Sequence, residues 1–407
     1  MTASARPVAT AVTIVGAAGF ALAAWWLVPW GSAPSGLTPV PASDVFSATE
    51  VARAESYSRW ALTWSLGSLA VSVGVACWLG FTTIGARLVA HLPGRWWLKV
   101  VLAVAACELI GRVATLPFSA AARQLRLEAG LTDQAWGSWA IDVLLGQAVV
   151  LVVTSLVLLV LVGCARRWHR AWPAVAGLAL ACFALLASFA YPLVVEPLFN
   201  RFTPLPDGSL RTSVLELADR EGVAVDDVLV ADASRRTTTL NAYVSGFGAT
   251  RRVVLYDNLV EDTPEDQTLS VVAHELAHAR HDDVLVGSAL GALGVLAGVG
   301  LLGLVMPPRP GGREGVPDPA RTPRVLAWLA VGALLVSPVQ SGISRSIETR
   351  ADVDALRATK APVPFVALQR ALAIRSRSDP TPPALVQFWF GSHPTVLERV
   401  GLVRDMT

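Results

Sequence analysis

The sequence predicts a mainly α-helical, polytopic membrane protein: seven helical spans, with a small α+β domain built from the polar chain between spans five and six and after span seven. Three observations carry that expectation. Of 407 residues, 53% are hydrophobic and only 16% charged, too apolar a balance for an ordinary soluble globule. Seven apolar runs reach the ~20 residues that a helix needs to cross a hydrocarbon core about 30 Å thick. The polar residues gather instead in two stretches, roughly 200–283 and everything after 343.

The apolar runs lie near 9–29, 60–82, 96–118, 143–165, 171–195, 284–306 and 324–343. Each is rich in Leu, Val, Ala and Gly, and Trp96, Trp97 and Trp172 stand at edges, where an amphipathic ring suits the headgroup level. The first run reads as an uncleaved span rather than a signal peptide, because Met1 to Arg6 holds one positive charge and the apolar stretch is long. Residues 33–43 and 307–323 are rich in Pro and Gly and read as loops. The chain thus divides into a five-span membrane part at 1–200, a first polar part at 201–283, spans six and seven at 284–343, and a second polar part at 344–407. Cys77, Cys107, Cys164 and Cys182 all fall in apolar runs, without the spacing of a disulfide framework or a cysteine metal site, and read as small core hydrophobes. The formal charge of +2 and the lack of a basic block interleaved with aromatics argue against nucleic acid as a partner.

In the first polar part, Ser209 can cap a helix that runs to Gly222, where glycine suits a left-handed C-terminal position. Residues 228–231, 241–245 and 253–256 read as short strands of a three-stranded sheet. Thr263 as N-cap, Pro264 at the first helical position and the acids Glu265 and Asp266 then announce a helix that runs through His281.

His274-Glu275-Leu276-Ala277-His278 lies on that helix, and a spacing of four puts both imidazoles on one face, one turn apart. They can share one ion. Zinc held by three protein ligands keeps a fourth position for water, and Glu275 flanks that position as a general base. The metzincin signature would need a histidine ten residues after His274, but Val284 stands there. A third ligand must come from farther along, and Glu348 within 344–352 can face the metal from a second helix. The competing role for Glu348 is a surface ion pair with Arg345 or Arg350. Asp352, one turn later, can orient a metal-binding imidazole. His281 shares a face with His278 and reads as a surface group or a neighbour of the site. His393, beside Pro394, is either a donor to the tetrahedral oxyanion or an exposed histidine. Glu108 and Arg112, one turn apart in the third run, are costly at membrane depth unless paired or lining water. They read as a buried ion pair or as substrate-contacting groups.

Together these motifs resemble the type I CAAX prenyl proteases, integral-membrane gluzincins, and more distantly the HtpX heat-shock proteases. Tyr191-Pro192 followed by Glu196-Pro197-Leu198-Phe199-Asn200-Arg201-Phe202-Thr203-Pro204-Leu205-Pro206 is similar to that family's passage from the fifth span into its protease domain. Asn241-Ala242-Tyr243 with Gly246, then 252–257, is similar to its substrate-binding edge strand and the neighbouring strand. The HELAH pentapeptide, 348–352, and Ser392-His393-Pro394 with Glu398-Arg399 complete a resemblance that covers nearly the whole chain. Thr239 stands where the family usually has a histidine, and 128–131 is only partly similar. The resemblance implies a seven-helix shell around an interior chamber, capped by a gluzincin-like protease domain. It also implies Glu348 as the third zinc ligand, Arg399 beside the ligands with Asp352, and His393 as a stabiliser of the transition state. Substrate backbone would pair with Asn241 and Ala242, as an exposed strand edge permits.

The expected function is that of a monomeric integral-membrane zinc metalloendopeptidase with one zinc ion and no organic cofactor. Its expected substrates are peptides or membrane-associated proteins; the Ala, Val, Gly and Arg bias suggests a high-GC bacterial coding sequence, where prenylated proteins are not expected. The alternative is a membrane scaffold or transport protein that keeps the metallopeptidase shape without turnover, against which the intact His274, Glu275, His278 and Glu348 set speaks. The expected location is the cell membrane. Arg87, Arg95, Lys99, Arg166, Arg167, Arg170, Arg309, Arg313 and Arg321 fall in three loops on one side, and the positive-inside rule would make that side cytoplasmic. The resemblance implies the reverse, with catalysis facing the cytoplasm, and that orientation is the one expected here.

Overall fold

The computed structural model describes residues 5–32, 37–246, 248–306 and 318–406. Residues 33–36 and 307–317 of the two expected loops, with Arg309 and Arg313, lie outside the described residues. The first half is helical: α1 (Arg6–Leu27), α2 (Ala48–Phe81), α3 (Thr83–Ala90), α4 (Trp96–Glu128), α5 (Trp136–Arg167), α6 (Trp172–Val194) and the short α7 (Glu196–Phe199). A polar segment follows with β1 (Phe202–Pro204), α8 (Ser209–Arg220), β2 (Asp227–Ala231), β3 (Ala242–Ser245), β4 (Arg252–Tyr256), α9 (Asp257–Asp262) and α10 (Glu265–Arg280). The chain closes with α11 (Asp283–Val305), α12 (Thr322–Thr359), α13 (Pro362–Ser376), α14 (Ala384–Phe390) and α15 (Val396–Met406).

Among the described residues seven helices, α1, α2, α4, α5, α6, α11 and α12, are long and apolar enough to cross a membrane. They pack as a ring in the order α2, α4, α5, α6, α11, α12 and back to α2, with α1 laid against α11 and α6. Small residues set the closest crossing: a Cβ on Gly16 would meet the Ala297 backbone at 2.4 Å, so α1 and α11 touch through a glycine. Trp172, at the first position of α6, is covered by neighbouring helices rather than turned outward. It is 1% exposed and packs with Leu158, Val299 and Met306, because α6 begins beneath the ends of α5 and α11. Cys182 is exposed on α6 and is no core residue, whereas Cys107 and Cys164 are buried. Glu108 and Arg112 are not a direct ion pair. Arg112 Nε donates to Gln147 Oε1 at 2.7 Å, and Gln147 Nε2 donates to Glu108 Oε2 at 3.0 Å, so a glutamine from α5 bridges the two charges.

The polar segment folds around a four-stranded sheet in the order β1-β2-β4-β3, with β2 and β4 parallel and the outer pairs antiparallel. The strand missing from the sequence reading is β1, three residues ending in Pro204; proline lacks the N–H a ladder needs but is tolerated on an edge. α8 starts one residue after Gly208 rather than being capped by Ser209, whose hydroxyl donates to Glu265 Oε2 at 2.8 Å and ties α8 to the start of α10. At its other end Gly222 adopts φ +69°, as expected. Pro264 takes the N-cap position of α10, and His281 closes that helix.

α10 owes its place to its apolar face. Val272, Leu276 and Ala273 are at most 1% exposed and pack with Leu217 of α8, Leu255 of β4, Leu368 of α13 and Ala355 of α12. Burying a valine or leucine side chain contributes about 1.5–3 kcal/mol, so the cluster holds the helix that carries the HELAH residues. Leu276→Ala is expected to cost roughly 2–5 kcal/mol through the cavity it leaves, seen as a lowered thermal unfolding midpoint of the purified protein.

Candidate metal centre

Two helices meet at the site. α10 presents His274 and His278 one turn apart, and α12 brings Glu348 across from the far end of a 38-residue helix. At 1.5 Å per residue that helix is about 57 Å long, nearly twice the ~30 Å hydrocarbon thickness. Its second half therefore projects beyond the span and packs along α10. His274 Nε2 lies 3.2 Å from His278 Nε2 and 3.1 Å from Glu348 Oε2, and His278 Nε2 lies 3.5 Å from Glu348 Oε1. Ligands about 2.0–2.1 Å from a tetrahedral zinc ion sit about 3.3 Å from one another. Two imidazole nitrogens and a carboxylate gathered at about this spacing suit that ion in donor chemistry and in size.

Each imidazole is backed by a carboxylate, and each carboxylate by an arginine. Asp352 Oδ1 lies 2.9 Å from His274 Nδ1, and Arg399 Nε donates to Asp352 Oδ2 at 2.7 Å. Asp283 Oδ2 lies 2.9 Å from His278 Nδ1, and Arg350 donates to the other oxygen of Asp283. Asp283 is the first residue of α11, so the sixth apolar helix begins on a group that touches the His278 imidazole. Arg399 is delivered by α15, whose start is fixed by a capping box: Thr395 N–H donates to Glu398 at 2.7 Å, and the Glu398 N–H donates back to the Thr395 hydroxyl at 3.3 Å.

His393 stands on the rim, with Nε2 3.3 Å from Glu348 Oε2 and Nδ1 2.9 Å from the Ser392 hydroxyl. Its loop is pinned to α12 by Arg345, which donates to the Gly391 carbonyl at 2.6 Å, and to α14 by Gln387, whose Nε2 donates to the His393 carbonyl at 2.7 Å. Neither Arg345 nor Arg350 pairs with Glu348; one holds this loop and the other holds Asp283. His281 turns away and bonds Asp354 Oδ2 at 2.8 Å. Asn241 and Ala242 lie at the start of β3, an edge strand that packs along α10 with one side open. A cavity of about 140 Å³ opens beside Asn241 and the HELAH helix, bounded by Asn241, His274, Glu275, His393 and Arg399.

Burial depresses the His274 imidazole, but the Asp352 and Glu348 carboxylates outweigh it and hold it up at about 10. A site with that bias toward positive charge favours a cation among its ligands. Glu275 is shifted the other way from an ordinary carboxylate: burial pushes it up, and the neighbouring histidines only partly offset that. Burial also lowers His393, against the pull of Glu348.

Residues 33–201 match the CAAX prenyl protease N-terminal region of five membrane helices, and residues 204–407 match peptidase family M48. The chain belongs to peptidase family M48. An uncharacterized metalloprotease of Bacillus subtilis, YhfN, is 31% identical over 317 residues, covering 76% of this chain and 74% of that one. The CAAX prenyl protease 1 homolog of Oryza sativa subsp. japonica is 44% identical over 96 residues, 23% of each chain. CAAX prenyl protease 1 of Saccharomyces cerevisiae is 40% identical over 102 residues, 25% of this chain and 22% of that one. These two likenesses are confined to about a quarter of each chain. The crystal structure of S. mikatae Ste24p superposes with a TM-score of 0.74 at 20% identity, covering 98% of this chain and 99% of that one, and shares its fold. This M48 member is therefore a multi-pass integral membrane metallopeptidase.

Of the residues singled out from sequence, His274, His278, Glu348, Asp352, Arg399 and His393 converge within one cluster, with Glu275 on the wall of the adjoining cavity. The reading missed Asp283 and Arg350. An acid at the first position of an apolar span, five residues after His278, was the available signal. Asp283→Asn is expected to weaken metal retention about 10–100-fold, as loss of a group that orients a metal-binding histidine does, measured by chelator competition.

Proposed function

We propose that this M48 peptidase is a zinc metalloendopeptidase whose one metal ion is held by His274, His278 and Glu348, and whose general base is Glu275. The observation that supports it is the convergence of the two imidazole nitrogens, 3.2 Å apart, on the Glu348 carboxylate, whose oxygens lie 3.1 and 3.5 Å from them, beside the half-buried Glu275 on the same helix as the histidines. When bound, zinc would supply a Lewis acid for the scissile carbonyl and acidify the attacking water.

The protein's own groups supply the rest. A substrate strand laid along the open edge of β3 would pair its backbone with Asn241 and Ala242, which carries its scissile bond past α10. Glu275 takes the proton of the attacking water and returns it to the leaving amine. His393, whose neutral form burial favours, donates from Nε2 to the oxyanion while the Ser392 hydroxyl bonds Nδ1 and fixes the ring. Asp352 with Arg399, and Asp283 with Arg350, hold the two imidazoles against rotation.

In this reading the membrane parts, 1–200 and 284–343, keep peptide or membrane-associated protein substrates beside the catalytic parts, 201–283 and 344–407. Non-prenylated substrates in the cell membrane of a bacterium, a monomeric enzyme and a catalytic face toward the cytoplasm complete it. The family likeness supports that face, while the loop charges favour the other.

Glu275→Gln is expected to retain zinc, by elemental analysis, while losing peptide cleavage by a factor of about 10² or more; full cleavage by the variant would remove Glu275 from its role. The pH profile gives a separate check. A base is active only when deprotonated, and burial raises Glu275 above its ordinary value of 4.5. The acid limb of kcat/KM is therefore expected above pH 4.5, with activity falling as pH drops through it.

A further inference from the structure

The cavity beside the metal centre is not uniformly apolar. Leu259, Val271, Leu368 and Leu372 line an apolar slot in it, and besides the site residues already described two further polar side chains join them. Ser270 stands one turn before His274 on α10, is 1% exposed, and its hydroxyl has no hydrogen-bond partner. Gln369, from α13 on the other side, is 4% exposed, and its amide makes no side-chain hydrogen bond among the described residues. Buried polar groups are nearly always paired, and unpaired ones are costly. The Ser270 hydroxyl and the Gln369 amide, lining one cavity from α10 and α13, point to a ligand that supplies both a donor and an acceptor.

The slot's place in the reaction follows from Glu275, which lines it and which delivers a proton to the leaving amine. The residue that enters is therefore the one on the amine side of the cut. Its stem must be apolar to lie between the leucines and Val271. Its tip must be neutral: the Arg399 guanidinium in the lining is already committed to Asp352, Glu275 would repel a second carboxylate, and a cationic tip would pair with Glu275 and take it from the water it deprotonates. The volume of about 140 Å³ is far above the ~10–15 Å³ that one water needs by this measure. It accommodates a side chain.

We infer that this cavity selects glutamine, an uncharged amide on an aliphatic stem, as the substrate residue immediately after the scissile bond. The Ser270 hydroxyl donates to the incoming amide oxygen, and the incoming amide N–H donates to Gln369 Oε1. This inference rests on the peptidase reading above and deepens it.

Full-length zinc-loaded protein would first be given a random peptide library, with cut sites read by mass spectrometry. Matched peptides with Gln, Leu or Glu after the cut would then be compared. One to two neutral hydrogen bonds predict about tenfold higher kcat/KM for Gln than for Leu, and lower still for Glu. Gln369→Leu and Ser270→Ala, each checked for zinc content and thermal transition, are expected to bring the Gln-to-Leu ratio to about one or below. Leu cut as well as Gln by the wild type, or a ratio unchanged in both variants, overturns the inference. Absence of cleavage of any peptide counts against the peptidase reading instead. The slot is then tested by fluorescence anisotropy of labelled peptides on Glu275→Gln, where equal binding of Gln and Leu peptides overturns it as well.

Discussion

The site depends on one carboxylate. Asp352 has no exposed surface and sits between the His274 imidazole and the Arg399 guanidinium. A buried charge without partners would be prohibitive, and one with excellent partners is tolerated but unforgiving. Because its partners come from α10 and α15 while it rides on α12, three separate chain segments must meet within hydrogen-bond reach for any of them to be satisfied. That demand fixes where the second half of α12 lies against α10, and therefore where Glu348 points.

The same requirement is met a second time on the other imidazole. Asp283 and Arg350 repeat the acid–arginine pattern for His278, but here the acid opens α11 and the arginine follows Glu348 by two residues on α12. α11 thus begins on a group that touches the His278 imidazole, and α12 carries one that touches the His274 imidazole. Membrane packing and chemistry are joined through side chains rather than through a flexible linker, and the hydrophobic cluster under α10 supplies the rigid floor on which they meet.

The amino-acid pattern revealed what is local or periodic. Seven apolar runs are seven long helices, and the spacing of His274 and His278 placed two ligands on one face because a helix repeats every 3.6 residues. Glu348 and Asp352 were open to reading for the same reason, one turn apart. What escaped was tertiary. β1 is too short and too close to proline to look like a strand, and pairs only because β2 offers it an edge. Trp172 reads as a headgroup anchor until the end of α11 is packed over it. The bridge from Glu108 through Gln147 to Arg112 needs a residue 35 positions away, and the slot holding Ser270 and Gln369 exists only once α13 lies against α10.

The unbroken course of α12 has a consequence for how this chain can change. Inserting or deleting one residue between Ser341 and Glu348 would turn everything beyond by about 100° and slide it by about 1.5 Å, swinging the carboxylate off its mark while leaving the span intact. Loops elsewhere can lengthen freely, but this stretch has a set helical phase. Its length is as much a part of the centre as the residues that bind.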